Sequence, residues 1–399
     1  MLRKTFVMLA LFILAAATAY ADFYVVGAGG RRYRRTVIVS PVPGNPAASG
    51  AALLAAYNGV TGATAADPWL VKVEPGVYDL GANTLFTQGY VDLEGSGPEI
   101  TTISGGSTAV QAGDAVEIRE LSIVAQASAT TVAMSVSGDT RLFRLRIETL
   151  SGSGMAYGLT ISNAAPELRD VVITVTGAGG SRGLDVDNSQ PSLVNVSLQA
   201  DGAGPNTCIY AQAASVLDLT NCALATEGGT YGFGAQIYNT TLNAVSCRFE
   251  IDAVTYSYAI RNGGGSQTTL MGCQVLARGA GTERNAVLNM EAGSTVKAQA
   301  CELIADTVSP AADNNSVRNV SDTGSISLHG CSVGDVYNVA NAGPIRLNAC
   351  TTGAMANHST ASNIYVGASQ VAGTVTNPGY FTCTGAYDAA YTALDASCQ

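Results

Sequence analysis

Charge is the scarcest ingredient of this 399-residue chain: Lys, Arg, Asp and Glu make up 13% of it. What charge there is leans acidic, with 20 basic against 30 acidic residues and a formal net charge of −10. A surface of that sign repels nucleic acid and anionic lipid, so neither is expected as a partner. Only two histidines occur, His329 and His358, and neither has a second ligand at metal-binding spacing. No metal and no other cofactor is therefore expected. Long helical periodicity is nearly absent, which excludes a helical bundle. Past the N-terminus no apolar run reaches membrane-spanning length, so no transmembrane segment is expected. The chain is nonetheless 47% hydrophobic with 45 Gly, which is not the composition of a disordered protein.

Residues 1–21 read as a cleavable signal peptide. Arg3 and Lys4 form its basic end, Phe6 to Ala17 its apolar stretch, and Ala19-Tyr20-Ala21 an A-x-A cleavage site before Asp22. Removal of the two positive charges takes the net charge from −10 to −12. The expected location is extracellular or in the cell envelope.

The body of the chain is repetitive. Six segments place cysteine in one slot, at Cys222, Cys247, Cys273, Cys301, Cys331 and Cys350, and upstream Leu121, Leu145, Val171 and Val196 fill the same slot. Successive slots lie 24, 26, 25, 26, 25, 26, 28, 30 and 19 residues apart. Each unit holds two or three short runs of alternating apolar and polar residues between Gly, Asn, Ser and Pro, the pattern of strands and turns. No unit can bury its own apolar face, so the units must stack. The fold class expected is all-β: a single right-handed parallel β-helix of about 25 residues per coil over residues 70–354. Residues 22–69 are expected to form an N-terminal cap with one short helix at Ala51 to Tyr57, and residues 355–399 a C-terminal cap or tail. The cluster Arg31-Arg32-Tyr33-Arg34-Arg35 reads as a solvated basic loop within the first of these.

Nine cysteines in an exported chain invite a disulfide reading. Adjacent coils would bring ladder cysteines within bonding range. The in-register slot instead points them inward, where cysteine packs as a small hydrophobe. Six free ladder thiols are expected. Cys208, aligned with Gly158, Gly183 and Gly232, is expected to be buried too. Cys383 and Cys398 lie outside the ladder and are the disulfide candidates.

The segments Leu70-Val-Lys-Val-Glu-Pro-Gly-Val-Tyr78, Tyr90 to Gly105, Val116 to Ile123 and Val136-Ser-Gly-Asp139 resemble the first coils of pectinesterases and other pectin-lyase-like proteins. The resemblance covers roughly residues 37–153 and implies their β-helix architecture. It does not extend to the reaction. Where pectinesterases place a Gln before the Val-Ser-Gly-Asp segment this chain has Thr130. Where they place Gln-Asp-Thr it has Ser151-Gly152-Ser153. An ester hydrolysis of that type needs an Asp nucleophile and oxyanion donors, and neither is present at those positions. No catalytic residue is assigned.

A polar column outside the ladder is the candidate binding surface. The strands Gly158-Leu-Thr-Ile-Ser-Asn, Gly183-Leu-Asp-Val-Asp-Asn, Cys208-Ile-Tyr-Ala-Gln-Ala and Gly232-Phe-Gly-Ala-Gln turn Asp185, Asp187, Tyr210, Gln212 and Gln236 outward. Asp185 and Asp187, two apart on one strand, sit roughly 6.6 Å from each other. Tyrosine beside amides and carboxylates suits sugar. The residues just before each ladder slot, from Glu120 to Ala349, read as a second outward strand column. The function expected is binding of an extracellular polysaccharide or cell-surface component without catalysis. The alternatives are a divergent polysaccharide lyase or hydrolase using Asp185 and Asp187, and a fibre or spike subunit.

Overall fold

The computed structural model describes residues 25–26, 32–33, 35–279, 281–306, 314–358, 363–376 and 380–398. The signal-peptide segment 1–21, and Arg31 and Arg34 of the arginine cluster, lie outside them. The chain is an all-β parallel solenoid in which a typical coil contributes one strand to each of three walls. Wall A contains Glu167–Arg169, Ser192–Val194, Val216–Thr220 and Thr241–Val245. Wall B contains Val172–Gly177, Ser197–Gly202, Ala223–Glu227 and Arg248–Asp252. Wall C contains Met155–Ser162, Gly180–Asp187, Asn206–Gln212 and Tyr231–Tyr238, within a sheet of 13 strands. Each strand pairs in parallel with its counterpart one coil away.

Register stacks like on like inside. On wall A, Leu168, Leu193 and Leu219 lie in line, followed by Ala244 and Leu270. On wall B the line runs Ile173, Leu198, Leu224, Phe249, Val275. The coil that carries the bulky Phe249 is the one that carries Ala244 in place of leucine, so summed side-chain volume in the layer is kept near constant. Both are buried, at 0% and 1% exposure.

Walls A and B meet at a bend of one residue in the left-handed region. The bend residues are Asp170, Asn195, Asn221, Ser246, Gly272 and Ala300, with φ between 52° and 59°. These were read from sequence as an outward strand column. They are corner residues instead; the preference of Gly, Asn and Asp for positive φ explains Asp170, Asn195, Asn221 and Gly272, while Ser246 and Ala300 hold the same bend without it. Exposed amides also tie the corners together: Asn195 donates to Asp170 Oδ1 at 2.9 Å and Asn221 to Asn195 Oδ1 at 2.8 Å. The next residue after each bend is the ladder slot, so the cysteines enter the core directly.

Cys222, Cys247, Cys273, Cys301, Cys331 and Cys350 are buried and unbonded, as is Cys208. The backbone N–H of Cys222 donates to Cys247 Sγ at 3.4 Å, and that of Cys273 to Cys301 Sγ at 3.4 Å. Burial, helped by Asp201, pushes the Cys208 thiol above its ordinary range. Cys383 and Cys398 form a disulfide, with Cα atoms 5.4 Å apart.

A second inner column is polar. Asn262 donates to Asn289 Oδ1, Asn289 to Asn319, Asn319 to Asn338 and Asn338 to Asn357, at 2.8, 2.8, 3.3 and 3.2 Å. All five are fully buried. Buried amides of this kind persist only when partnered, and stacking supplies each with the next.

The helix spans Pro46–Asn58, longer than the Ala51 to Tyr57 read from sequence. Asn45 accepts from the Ala48 N–H at 3.0 Å and Pro46 occupies the first turn, so the start signal lies in residues that read as loop. Its Leu53 and Tyr57 are buried, and the Tyr57 hydroxyl donates to Val91 O at 2.6 Å. Beside it lies a buried charged cluster. Tyr33 donates to Asp92 at 2.6 Å, and Arg119 binds Glu117 and, through Nε at 2.8 Å, Glu94. At the other end the slot spacing shortens to 19 residues after Cys331, yet parallel pairing continues through Ile364–Gly367 with Phe381–Thr384 and Gln370–Val371 with Tyr387–Asp388. Short coils keep the stack while losing the 25-residue signature.

Candidate functional site

The outer face of wall C holds the sequence-predicted residues. Its facing follows from the glycines: a Cβ on Gly232 or Gly234 would lie 2.8 or 3.1 Å from the Ile251 side chain, inside the core. Alternation therefore turns Tyr231 and Phe233 outward, and a change of phase at the adjacent buried pair Gly234 and Ala235 then turns Gln236 and Tyr238 outward. Parallel stacking repeats the facing in each coil, so pairs two residues apart on a strand become two-dimensional arrays.

The lower-numbered part of the face is built around Arg182. Its guanidinium lies 4.0 Å from the Tyr210 ring centre and 5.8 Å from that of Tyr157. The same guanidinium binds Asp185 Oδ2 at 2.8 Å. Asp185 therefore has a basic partner three residues before it, and is not a free carboxylate. Asp185 pairs in register with Tyr210, and Asp187 with Gln212. The Tyr210 hydroxyl donates to Gln212 Oε1 at 3.2 Å. Burial raises the Tyr210 hydroxyl against the lowering effect of Arg182.

The next coil corrects the alignment drawn from sequence. Tyr210 pairs with Gln236, and Cys208 lies opposite Gly234, between the pairs Thr207 with Phe233 and Ile209 with Ala235. The Gly232 alignment was therefore shifted by two residues. Gln236 donates to the Tyr238 hydroxyl at 2.8 Å, and the Tyr238 ring lies 6.1 Å from that of Tyr210. The five predicted residues thus share one face, with Gln236 beside Tyr210.

The larger part of the surface was missed. Tyr231, Phe233, Tyr256 and Tyr258 form a two-by-two array of near-parallel rings. Tyr231 and Tyr256 are 4.8 Å apart at 9°, and Phe233 and Tyr258 are 5.4 Å apart at 21°. The separations follow the coil spacing of roughly 4.8 Å. Phe233, Tyr258 and Leu288 form a hydrophobic cluster separate from the core, with Tyr256 packed on it, while Tyr231 is 38% exposed. Arg261 lies 5.8 Å from both Phe233 and Tyr238 ring centres. Burial and then the Glu283 carboxylate push the Tyr258 hydroxyl above its ordinary range, and Glu283 in turn binds Arg318 at 2.7 Å. The signal was present in sequence: Tyr231-Gly-Phe233 and Tyr256-Ser-Tyr258 are aromatic pairs at strand spacing, 25 residues apart.

The positions at which an esterase would carry its donors are structural here. Ser151 is buried and donates to Ala129 O at 2.6 Å, and Ser153 donates to Ser128 O at 2.5 Å, both on the preceding coil. Thr130 is exposed. Among the described residues no group of three or more His, Cys, Asp or Glu could hold a metal ion. Nor is any helix among them long and apolar enough to cross a membrane.

No family model matches the chain, and no curated protein matches it. Solved structures do. The A-module of mannuronan C-5 epimerase AlgE6 from Azotobacter vinelandii is 13% identical over 86% of this chain and 95% of its own, with a TM-score of 0.42. ORF18 of Geobacillus virus E2 is 9% identical over 87% and 61%, also at 0.42. A pectin methylesterase from Yersinia enterocolitica is 11% identical over 56% and 78%, at 0.33.

Proposed function

We propose that this chain is an exported solenoid that holds a polysaccharide, or the glycan of a surface partner, along the outer face of wall C without turning it over. In this reading residues 1–21 are a cleaved signal peptide, the coil is right-handed, and the Pro46–Asn58 helix covers the open N-terminal end. The observation that carries the reading is the ring array of Tyr231, Phe233, Tyr256 and Tyr258, continued by Tyr238 and Tyr210. The rings stack on one another, so the array offers a sugar chain its exposed border at Tyr231, continued by Tyr238 and Tyr210, and Gln212, Gln236, Asp187 and Arg261 stand beside it for hydroxyls. Asp185, neutralised by Arg182, is poorly placed to be an acid or base, which speaks against the lyase or hydrolase alternative.

The test is a glycan array on the mature protein, with turnover of each hit followed in parallel. Binding is expected without cleavage. Tyr231→Ala with Tyr256→Ala should weaken it about tenfold or more, the scale of one or two lost aromatic contacts. Cleavage that disappears in the Asp185→Ala, Asp187→Ala double variant would replace the binding reading with the enzymatic one.

A further inference from the structure

Wall A carries a second outward surface, independent of the aromatic face. Its later coils form a groove of about 430 Å³ whose lining includes Lys297, Gln299, Ser327, His329, Arg346 and Asn348. Lys297, Ser327 and Arg346 stand in register on three successive coils. Two coil spacings put the two cationic residues roughly 10 Å apart along the groove.

No carboxylate lines this groove. That departs from how the stack treats several of its other outward arginines. Arg144 binds Glu120 at 2.7 Å, Arg169 binds Glu167 at 3.1 Å, and Arg248 and Arg278 share Glu250. The register neighbours of Lys297 are Thr269 and Ser327, and those of Arg346 are Ser327 and Tyr365. Among the described residues neither makes an ion pair within 4.0 Å. Arg346 rests over the Tyr365 ring at 5.3 Å, which holds its guanidinium at the surface. On a chain with 30 acidic and 20 basic residues, a face that pairs cations with hydroxyls and amides is charge-complementary to an external anion.

We propose that this groove binds an anionic polysaccharide. Lys297 and Arg346 each take one carboxylate or sulfate of the chain, and Ser327, Gln299 and Asn348 take hydroxyl groups between them. Two cations set two coils apart match charges repeated along a polymer better than one small anion.

The experiment measures retention on polygalacturonate and on dextran sulfate, with neutral dextran as control, at low and high salt. Salt-sensitive binding to at least one charged polymer is expected, and the preferred one tells carboxylate from sulfate. Lys297→Ala with Arg346→Ala should lower that affinity about tenfold or more, with an unchanged circular-dichroism spectrum and melting temperature. Tyr231→Ala with Tyr256→Ala should leave it unchanged, which separates this site from the wall C reading. The proposal is overturned by an absence of binding to either charged polymer. It is equally overturned if the Lys297, Arg346 variant binds as tightly as the parent, or if the wall C variant abolishes binding.

Discussion

Asn289 accepts the side-chain amide of Asn262 and donates its own to Asn319, each at 2.8 Å, with no solvent on either side. It is a middle rung of a ladder. Asn289→Ala leaves the buried Asn319 Oδ1 without its donor, at about 1–3 kcal/mol, while the Asn262 amide keeps the carbonyls of Thr295 and Ser266. Urea unfolding should show a loss within that range or above it. An unchanged midpoint would mean that the ladder contributes nothing.

The cysteine ladder is expected to stay reduced and closed to solvent. Seven free thiols should fail to react with a thiol reagent in the native protein and all seven should react in denaturant without reductant. Fewer than seven under those conditions would reveal cross-links between coils.

The corner between walls A and B isolates a backbone effect. A Cβ at Gly272 would meet nothing closer than Ser246 Oγ at 3.9 Å, while its φ is +59°. Gly272→Ala should therefore destabilise by about 1–2 kcal/mol through the backbone alone. Ala300→Gly, at a φ of 52°, should be neutral or stabilising by thermal melting. Equal effects of the two changes would refute the assignment of a left-handed corner.

The charged cluster near the helix predicts both acid and alkaline limits. For Glu94, burial raises the carboxyl but Arg119 and Lys72 outweigh it, so the folded value lies below the ordinary 4.5. Stability from this group is present above that ordinary value and is lost as pH falls through the folded one. For Tyr33, burial and Asp92 raise the hydroxyl well above its ordinary 10.0. Its contribution is present below pH 10 and is lost as pH rises toward the folded value. Stability against pH should flatten on the acid side in Glu94→Gln and on the alkaline side in Tyr33→Phe. Unchanged limbs in both variants would deny the cluster this role.

The stacked coils were legible because the inward positions of walls A and B are filled by apolar residues, so Leu, Ile and Cys recur at fixed spacing. The corner residues were not, because one residue at positive φ interrupts alternation without altering polarity. The slip between Gly232 and Gly234 has a similar cause. A shift of two residues keeps a strand in phase with its period, so both glycines fit the inside equally well. Arg182 escaped as the partner of Asp185 because the two face each other across three residues, a distance that strand alternation alone does not predict. The buried asparagines escaped because Asn at the end of a strand reads as a turn, and only the neighbouring coil shows what its amide bonds.

The disulfide between Cys383 and Cys398 bears on how the stack ends. It draws the final segment back on itself, where Tyr387 makes an antiparallel bridge with Ala393 against a stack that is otherwise parallel at this end. The bridged segment thus covers a strand edge that would otherwise offer unpaired backbone groups in the parallel sense of the stack.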